Sequence, residues 1–385
     1  MENFEEKACL CALNRIFGFE PKIGQALISH LGSATKVFTL NDDELTSLLG
    51  PHSKHKGKIC QKVVDSAAKE LIQLSNLGIN FCGITENQYP SLLNECEDAP
   101  IGIYIKSHTP ISELWQDNRI AIVGTRDISP YGKEWCSKII NSLAMTPQRP
   151  TIVSGLALGV DIQAHKTALE NGLPTIAVLP TGPESIYPYR HRVHAEKIAS
   201  SYGSALITDY PPGTAPLAIH FLRRNRIIAG LCSSTILIES KIKGGGLMTC
   251  RLAFSYSRDV YALPGRVDDL RSQGCNELIR QKIAEPLTST TTLIESLGMQ
   301  ITHNPDNQSF ILDKIYKCRV NTNDMKLLKD IVSSINKNRC ITIEEISESI
   351  GLNYSKTAEL IGLLEIDDIV MIDLMQRCSI NPKFM

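Results

Sequence analysis

RIAIVG at residues 119–124, TIVSG at 151–155, TIAVLP at 175–180, SALITDY at 204–210, STILIES at 234–240 and DVYALPG at 259–265 are six short apolar runs separated by turns and helical stretches. Continuous Val/Ile/Leu runs alternating with helices predict a parallel sheet covered on both faces. The expected fold class is α/β, a doubly wound, Rossmann-like parallel sheet, taken to occupy residues 86–299.

Away from this centre the pattern changes. Residues 1–85 read helical by apolar spacing, broken by glycines and Pro51. GFEPKIGQALISHLGS (18–33) and LLGPHSKHKGKICQKVVDSA (48–67) suggest helical hairpins of a helix-hairpin-helix or SAM-like domain, able to offer backbone amides to a phosphate. Residues 300–323 are weakly patterned and read as a linker. Residues 324–385 read as three helices and an alternating tail, a winged helix.

The chain has 385 residues, 43% hydrophobic and 21% charged, which suits a folded protein of two or three domains. An acidic N-terminus and the lack of a long apolar run predict a cytoplasmic protein without a membrane span. Twelve cysteines include no C-x-x-C pair, so reduced core thiols are expected, with no metal and no cofactor.

Net charge is only −1, but it is unevenly spread. Residues 1–114 carry 10 Lys+Arg against 14 Asp+Glu, residues 115–299 carry 20 against 15, and residues 320–385 carry 7 against 10. The basic excess therefore lies in the sheet segment. The would-be recognition helix NYSKTAELIGLL has one lysine and one glutamate, too few cations for a major-groove reader, so a protein contact is the expected role of the tail.

Ligands of a doubly wound sheet sit at the C-terminal ends of its strands. Three glycine-containing turns should converge there. In the first, Gly124, Thr125 and Arg126 precede a helix with Ser129 as N-cap and Pro130 at N1, so Arg126 would meet an anion beside a helix N-terminus. In the second, Gly155 and Gly159 open the turn and Ser154 offers a hydroxyl. In the third, Gly246 and Thr249 are expected at the start of a helix. FLRRNRIIAGL adds Arg223, Arg224, Asn225 and Arg226 on one basic helix. There is no Walker A motif and no G-x-G-x-x-G with a following acid. Asp161 and His165, four apart, read mainly as a structural helix-start pair, with no nucleophile motif beside them. A phosphate platform without machinery to break phosphates suits a polyanion, and nucleic acid is the expected partner.

At these residues the sequence resembles the DprA (Smf) family of bacterial DNA-processing proteins. The resemblance rests on YPSLLNECEDAPIGIYIKS, AIVGTRDISPYG, IVSGLALGVDIQAHKTALENGLPTIAVLPTG with YPYRHR, FLRRNRIIAGL and DVYALPGRVDDLRSQGCNELI, spanning about 89–282 in the family's order. It implies a non-enzymatic protein that binds and protects single-stranded DNA, dimerises and loads RecA recombinase during natural transformation. It places the phosphate pocket at Gly124, Arg126, Ser154, Gly155, Gly159, Arg224, Asn225 and Arg226, and the homodimer contact at Leu278 and Ile279. Leu222 stands where the family has proline, Gly246 where serine is usual and Cys250 where alanine is, and LIRQKIA lacks the glycine of the family's LIxxGA.

Two rival functions make different demands. A nucleoside-monophosphate phosphoribohydrolase of the lysine-decarboxylase-like fold has a turn resembling KGGGLMT but needs a glutamate shortly after it, where Leu252 stands. A transcription factor built on the winged helix would need a basic tail.

Overall fold

A computed structural model describes residues 2–115, 118–300, 312, 315–316, 319–338, 341–373 and 375–381. Two compact units result, residues 1–301 and 302–385.

The six apolar runs form strands β3 (Arg119–Val123), β4 (Thr151–Ser154), β5 (Thr175–Val178), β6 (Ala205–Thr208), β7 (Ser234–Leu237) and β8 (Asp259–Ala262). They pair in parallel in the order β6-β5-β4-β3-β7-β8. Every residue of β3 to β7 is buried. Side chains alternate between the faces. On β3, Ile120 and Ile122 pack with helices α8 (Pro130–Ala144) and α9 (Val160–Glu170), while Ala121 and Val123 pack with α11 (Ala218–Leu231) and α12 (Gly245–Ser255). The expected doubly wound sheet is therefore present.

It is also wider than expected. The short strand β9 (Glu285–Pro286) adds in parallel beside β8. At the other edge, β1 (Ile79–Gly83) and β2 (Gly102–Lys106) form an antiparallel pair, and β2 runs antiparallel to β6. Helices α1 (Glu2–Phe17), α2 (Pro21–Leu31), α3 (Ala34–Thr39), α4 (Asp42–Leu49) and α5 (Gln61–Asn76) pack over this pair. Ile101 and Tyr104 join the helical core, whereas Ile103 and Ile105 join the sheet core. The boundary expected near residue 85 thus falls inside one compact unit, because neighbouring residues of β2 serve two cores. Among the described residues, no helix is long and apolar enough to cross a membrane.

The remaining helices of this unit are α6 (Ser91–Asn94), α7 (Ile111–Leu114), α10 (Arg192–Ser200), α13 (Gln273–Arg280) and α14 (Thr290–Ser296). Nine of the ten described cysteines are buried free thiols, Cys60 being the exposed one. Burial pushes the Cys82 and Cys232 thiols up to about 12.

The second unit is a winged helix: α15 (Thr322–Asn338), β10 (Ile341–Thr342), α16 (Ile343–Ile350), α17 (Tyr354–Ile366), β11 (Val370–Ile372) and β12 (Arg377–Ile380). Its sheet has the order β10-β12-β11. Thr342 and Glu345 cap α16 reciprocally, and Gly351 ends it at φ +68°. The linker expected at 300–323 is shorter than that range. Residues 301–311 lie outside the described part, but Leu312 and Tyr316 are buried in this unit's core and the Tyr316 hydroxyl donates to Leu363 O at 3.1 Å.

Candidate nucleic-acid interface

Strand order reverses between β3 and β7, so the sheet's topological switch point lies there. The turns after β3, β4 and β7 meet at it. Thr125 N–H donates to Glu239 O at 2.7 Å, and Val160 N–H donates to Thr125 O at 3.1 Å. The glycines permit this approach. A Cβ on Gly124 would lie 2.5 Å from a Val160 methyl, and one on Gly246 would lie 3.0 Å from Gly124 Cα. Gly159 has φ +75°, which an L side chain would strain, and a Cβ there would meet the Arg126 carbonyl oxygen at 2.7 Å.

Ser129 caps α8 as expected, its hydroxyl accepting from Gly132 N–H at 3.0 Å, with Pro130 in the first turn. That helix end is nevertheless filled. The buried Glu239 carboxylate accepts from Ser129 N–H at 2.9 Å and from the Ser129 hydroxyl. The expectation of an anion held at this N-terminus is corrected: the protein supplies its own carboxylate there.

The hydroxyls of Ser154 and Thr249 also turn inward. Ser154 is buried and donates to Ile122 O at 2.7 Å. Thr249 is buried and donates to Gly245 O at 3.2 Å. It lies in the second turn of α12, because the glycines themselves make the first, with Gly244 as N-cap.

The arginines separate into two groups. Arg126 is exposed, with its guanidinium 4.9 Å from the centre of the Phe221 ring. Tyr187 meets the same Phe221 ring edge-on at 5.4 Å. The neighbouring carboxylate, Asp127, is held by Arg271 at 2.8 Å. No carboxylate pairs with Arg126 among the described residues.

On α11 the arginines are engaged. Arg224 is only 3% exposed and donates to Gly155 O at 2.6 Å and Val178 O at 2.5 Å. Burial pulls its guanidinium down to about 10, against the opposing pull of Asp161. Arg226 forms a buried ion pair with Asp209 at 2.5 Å and donates to Asp98 O. Arg223 donates to Phe19 O at 2.8 Å and to Gly18 O. Asn225 donates to Gly245 O at 3.4 Å. The expected basic face is thus corrected for Arg224 and Arg226. Arg224 shares a helix face with Ile227, Ile228 and Leu231, which lie in the sheet core.

Residues 80–298 match the family DNA recombination-mediator protein A. The chain belongs to that family. It is 39% identical over 198 residues to DNA processing protein DprA of Streptococcus pneumoniae, a match covering 51% of this chain and 67% of the relative. It is 36% identical over 218 residues to protein Smf of Escherichia coli, covering 57% of this chain and 56% of the relative. The chain thus spans about half the length of the latter. The solved S. pneumoniae DprA structure superposes with TM-score 0.58 at 32% identity, covering 66% of this chain and 86% of that one. DNA processing protein A of Helicobacter pylori, solved for its single-stranded DNA binding mode, gives TM-score 0.51 at 30% identity over 57% of this chain and 95% of that one.

Other expectations for this DprA-family chain also meet the structure. Asp161 and His165 do not bond to each other. The Asp161 carboxylate accepts from Ala157 N–H at 3.3 Å, and His165 Nδ1 pairs with the Thr175 hydroxyl at 2.7 Å. Burial raises the Asp161 carboxyl and drives the His165 imidazole down to about 3, so His165 is neutral at pH 7. Leu278, expected at a dimer contact, is fully buried in the sheet core and presents nothing to a partner, while Ile279 is half-buried against that core. Phe221, Tyr187 and Glu239 join the site without being among the residues expected there. Their signals were the ring opening FLRRNR, the first tyrosine of YPYRHR and the acid ending STILIE.

Proposed function

We propose that this chain binds single-stranded DNA across the C-terminal edge of its parallel strands and does no chemistry on it. The observation that carries the reading is the group Arg126–Phe221–Tyr187, an exposed guanidinium over a ring that a second ring flanks. A cation for phosphates beside rings for bases is how single strands are held without sequence preference. Within the site, Arg126 supplies charge and Gly124, Thr125, Gly159 and Gly246 shape the backbone the strand crosses. Gly155, Ser154, Arg224 and Asn225 brace that backbone from beneath, Arg226 holds Asp209 and the Asp98 carbonyl, and Arg223 ties α11 to the N-terminal helices. The H. pylori relative's single-stranded DNA binding mode supports the same reading. Loading of RecA during transformation, homodimer formation and a cytoplasmic location follow from the family resemblance and belong to the proposal. So does the lack of turnover of nucleoside monophosphates, ATP or NAD; Leu252, on α12, stands where a phosphoribohydrolase needs its acid.

The test is titration of labelled single- and double-stranded DNA at several salt concentrations, with a nuclease control. Single strands bind preferentially, with a log–log salt slope of about −0.7 per phosphate contact. Binding that ignores salt, or product formed from a nucleotide, defeats the proposal.

A further inference from the structure

The Arg126 group accounts for one side of the first turn of α11. The other side carries a second aromatic–guanidinium stack that the proposed site does not use. Phe19 sits in the turn between α1 and α2 and is 56% exposed. The Arg223 guanidinium lies 4.1 Å from the centre of its ring. Arg223 is not free to leave, because it also donates to the carbonyls of Gly18 and Phe19, the backbone of that same turn. His220 approaches the Phe19 ring at 5.9 Å and itself lies against the Tyr210 ring at 4.4 Å, tilted by 34°. The ring is therefore fixed in orientation on a residue that remains exposed.

Its surroundings join it to the proposed strand path. His220 and Phe221 are consecutive on α11, the first touching Phe19 and the second touching Arg126 and Tyr187. A helix is about 10–12 Å across with its side chains, so the two stacks lie within a few nucleotides of each other. Leu217, Ile219 and Leu222 are exposed around the same turn, giving an apolar surface rather than a carboxylate between them. Charge near Phe19 is balanced: Lys22 pairs with Glu97 at 2.5 Å, and Lys54 pairs with Glu20 at 2.8 Å. These pairs are solvent-exposed and weak. What the position offers a ligand is a flat face, and the ligand class that suits it is an unpaired nucleobase.

We propose that Phe19 is an outer base-stacking position for single-stranded nucleic acid, so that the N-terminal helices extend the strand path beyond the Arg126 group. This rests on the single-strand reading above. The path then runs from Tyr187 and Phe221 over the start of α11 to Phe19.

Fluorescence anisotropy on the full chain tests it, with labelled oligothymidylates of about 2 nucleotides, too short to span both stacks, and about 20 nucleotides, compared at several salt concentrations. Phe19→Ala weakens the long oligomer roughly tenfold, in the range for one lost base stack, and leaves the short one and the salt slope unchanged. Phe19→Tyr restores long-oligomer affinity. Phe19→Trp gives tryptophan quenching on adding the long oligomer, beyond that of the wild type. An unchanged melting temperature in Phe19→Ala separates these effects from misfolding. If the wild type binds and Phe19→Ala binds every length equally well, the outer position is wrong while the single-strand reading stands. An equal loss at both lengths also overturns it, since Phe19 would then not lie beyond the first contact. If the wild type binds no strand, both readings fall.

Discussion

Arg126 and Arg226 carry the same guanidinium to opposite ends. Arg126 stands in a turn after a parallel strand, open to water and resting on a ring. Arg226 and its neighbour Arg224 stand on a helix pressed against the sheet, where backbone carbonyls and Asp209 accept from their terminal guanidinium nitrogens. A cation's value for binding depends on which partner it already has. Arg224 and Arg226 hold together the end of β5, the Gly155 turn and the Asp98 loop, whereas Arg126 stays exposed over the Phe221 ring.

That division can be broken experimentally. Arg226→Ala strands Asp209 in the interior, and losing one partner of a buried pair costs about 3–5 kcal/mol. Urea unfolding reads the loss, and a variant as stable as wild type would mean that Arg226 was available for DNA after all. Arg126→Ala gives the reverse pattern. Stability stays within about 0.5 kcal/mol, while single-strand affinity falls by about 1–3 kcal/mol and the salt slope flattens by about one contact. Wild-type affinity in a folded Arg126→Ala protein would place DNA elsewhere.

His165 sharpens the inner half of the comparison. Its folded value near 3 lies below the ordinary 6.5. Between these values the unfolded chain binds a proton that the folded chain refuses, so stability falls as pH drops below about 6.5 and is fully present above it. The slope reaches at most about 1.4 kcal/mol per pH unit. His165→Gln should flatten the acid limb by that amount; an unaltered limb would assign the acid sensitivity to other groups. The smallest effect concerns the winged helix. Removing residues 302–385 should change single-strand affinity by no more than a few-fold in anisotropy titration, because they carry 10 Lys+Arg against 12 Asp+Glu. A loss beyond tenfold would bring that unit into the interface.

Much of this was legible in the chain. Strands buried on both faces are uninterrupted apolar runs, and β3 to β8 were read directly from theirs. The turns that meet at the switch point were marked by Gly124, Gly159 and Gly246, each at a contact too close for a Cβ. The destinations of side chains were harder. Arg224 precedes Ile227, Ile228 and Leu231 by three, four and seven positions, a helical stripe that marks it as inward-facing, yet three arginines in four positions read as a basic surface. Glu239 could not be placed by local pattern, since its partner Ser129 lies 110 positions earlier. INFCG and GIYIK escape the strand pattern because they precede the alternating run of strands and helices and pair antiparallel with each other. The family motif points Leu278 outward, whereas the sheet core buries it.

The double duty of β2 has a consequence for how the larger unit comes apart. With Ile103 and Ile105 in one apolar cluster and Ile101 and Tyr104 in the other, neither cluster can be opened without uncovering a strand that the other needs. Residues 1–301 should therefore melt in one cooperative transition, and a protease nick near residue 85 should not release a stable sheet fragment. The N-terminal helices are less an accessory module than the outer wall of the sheet.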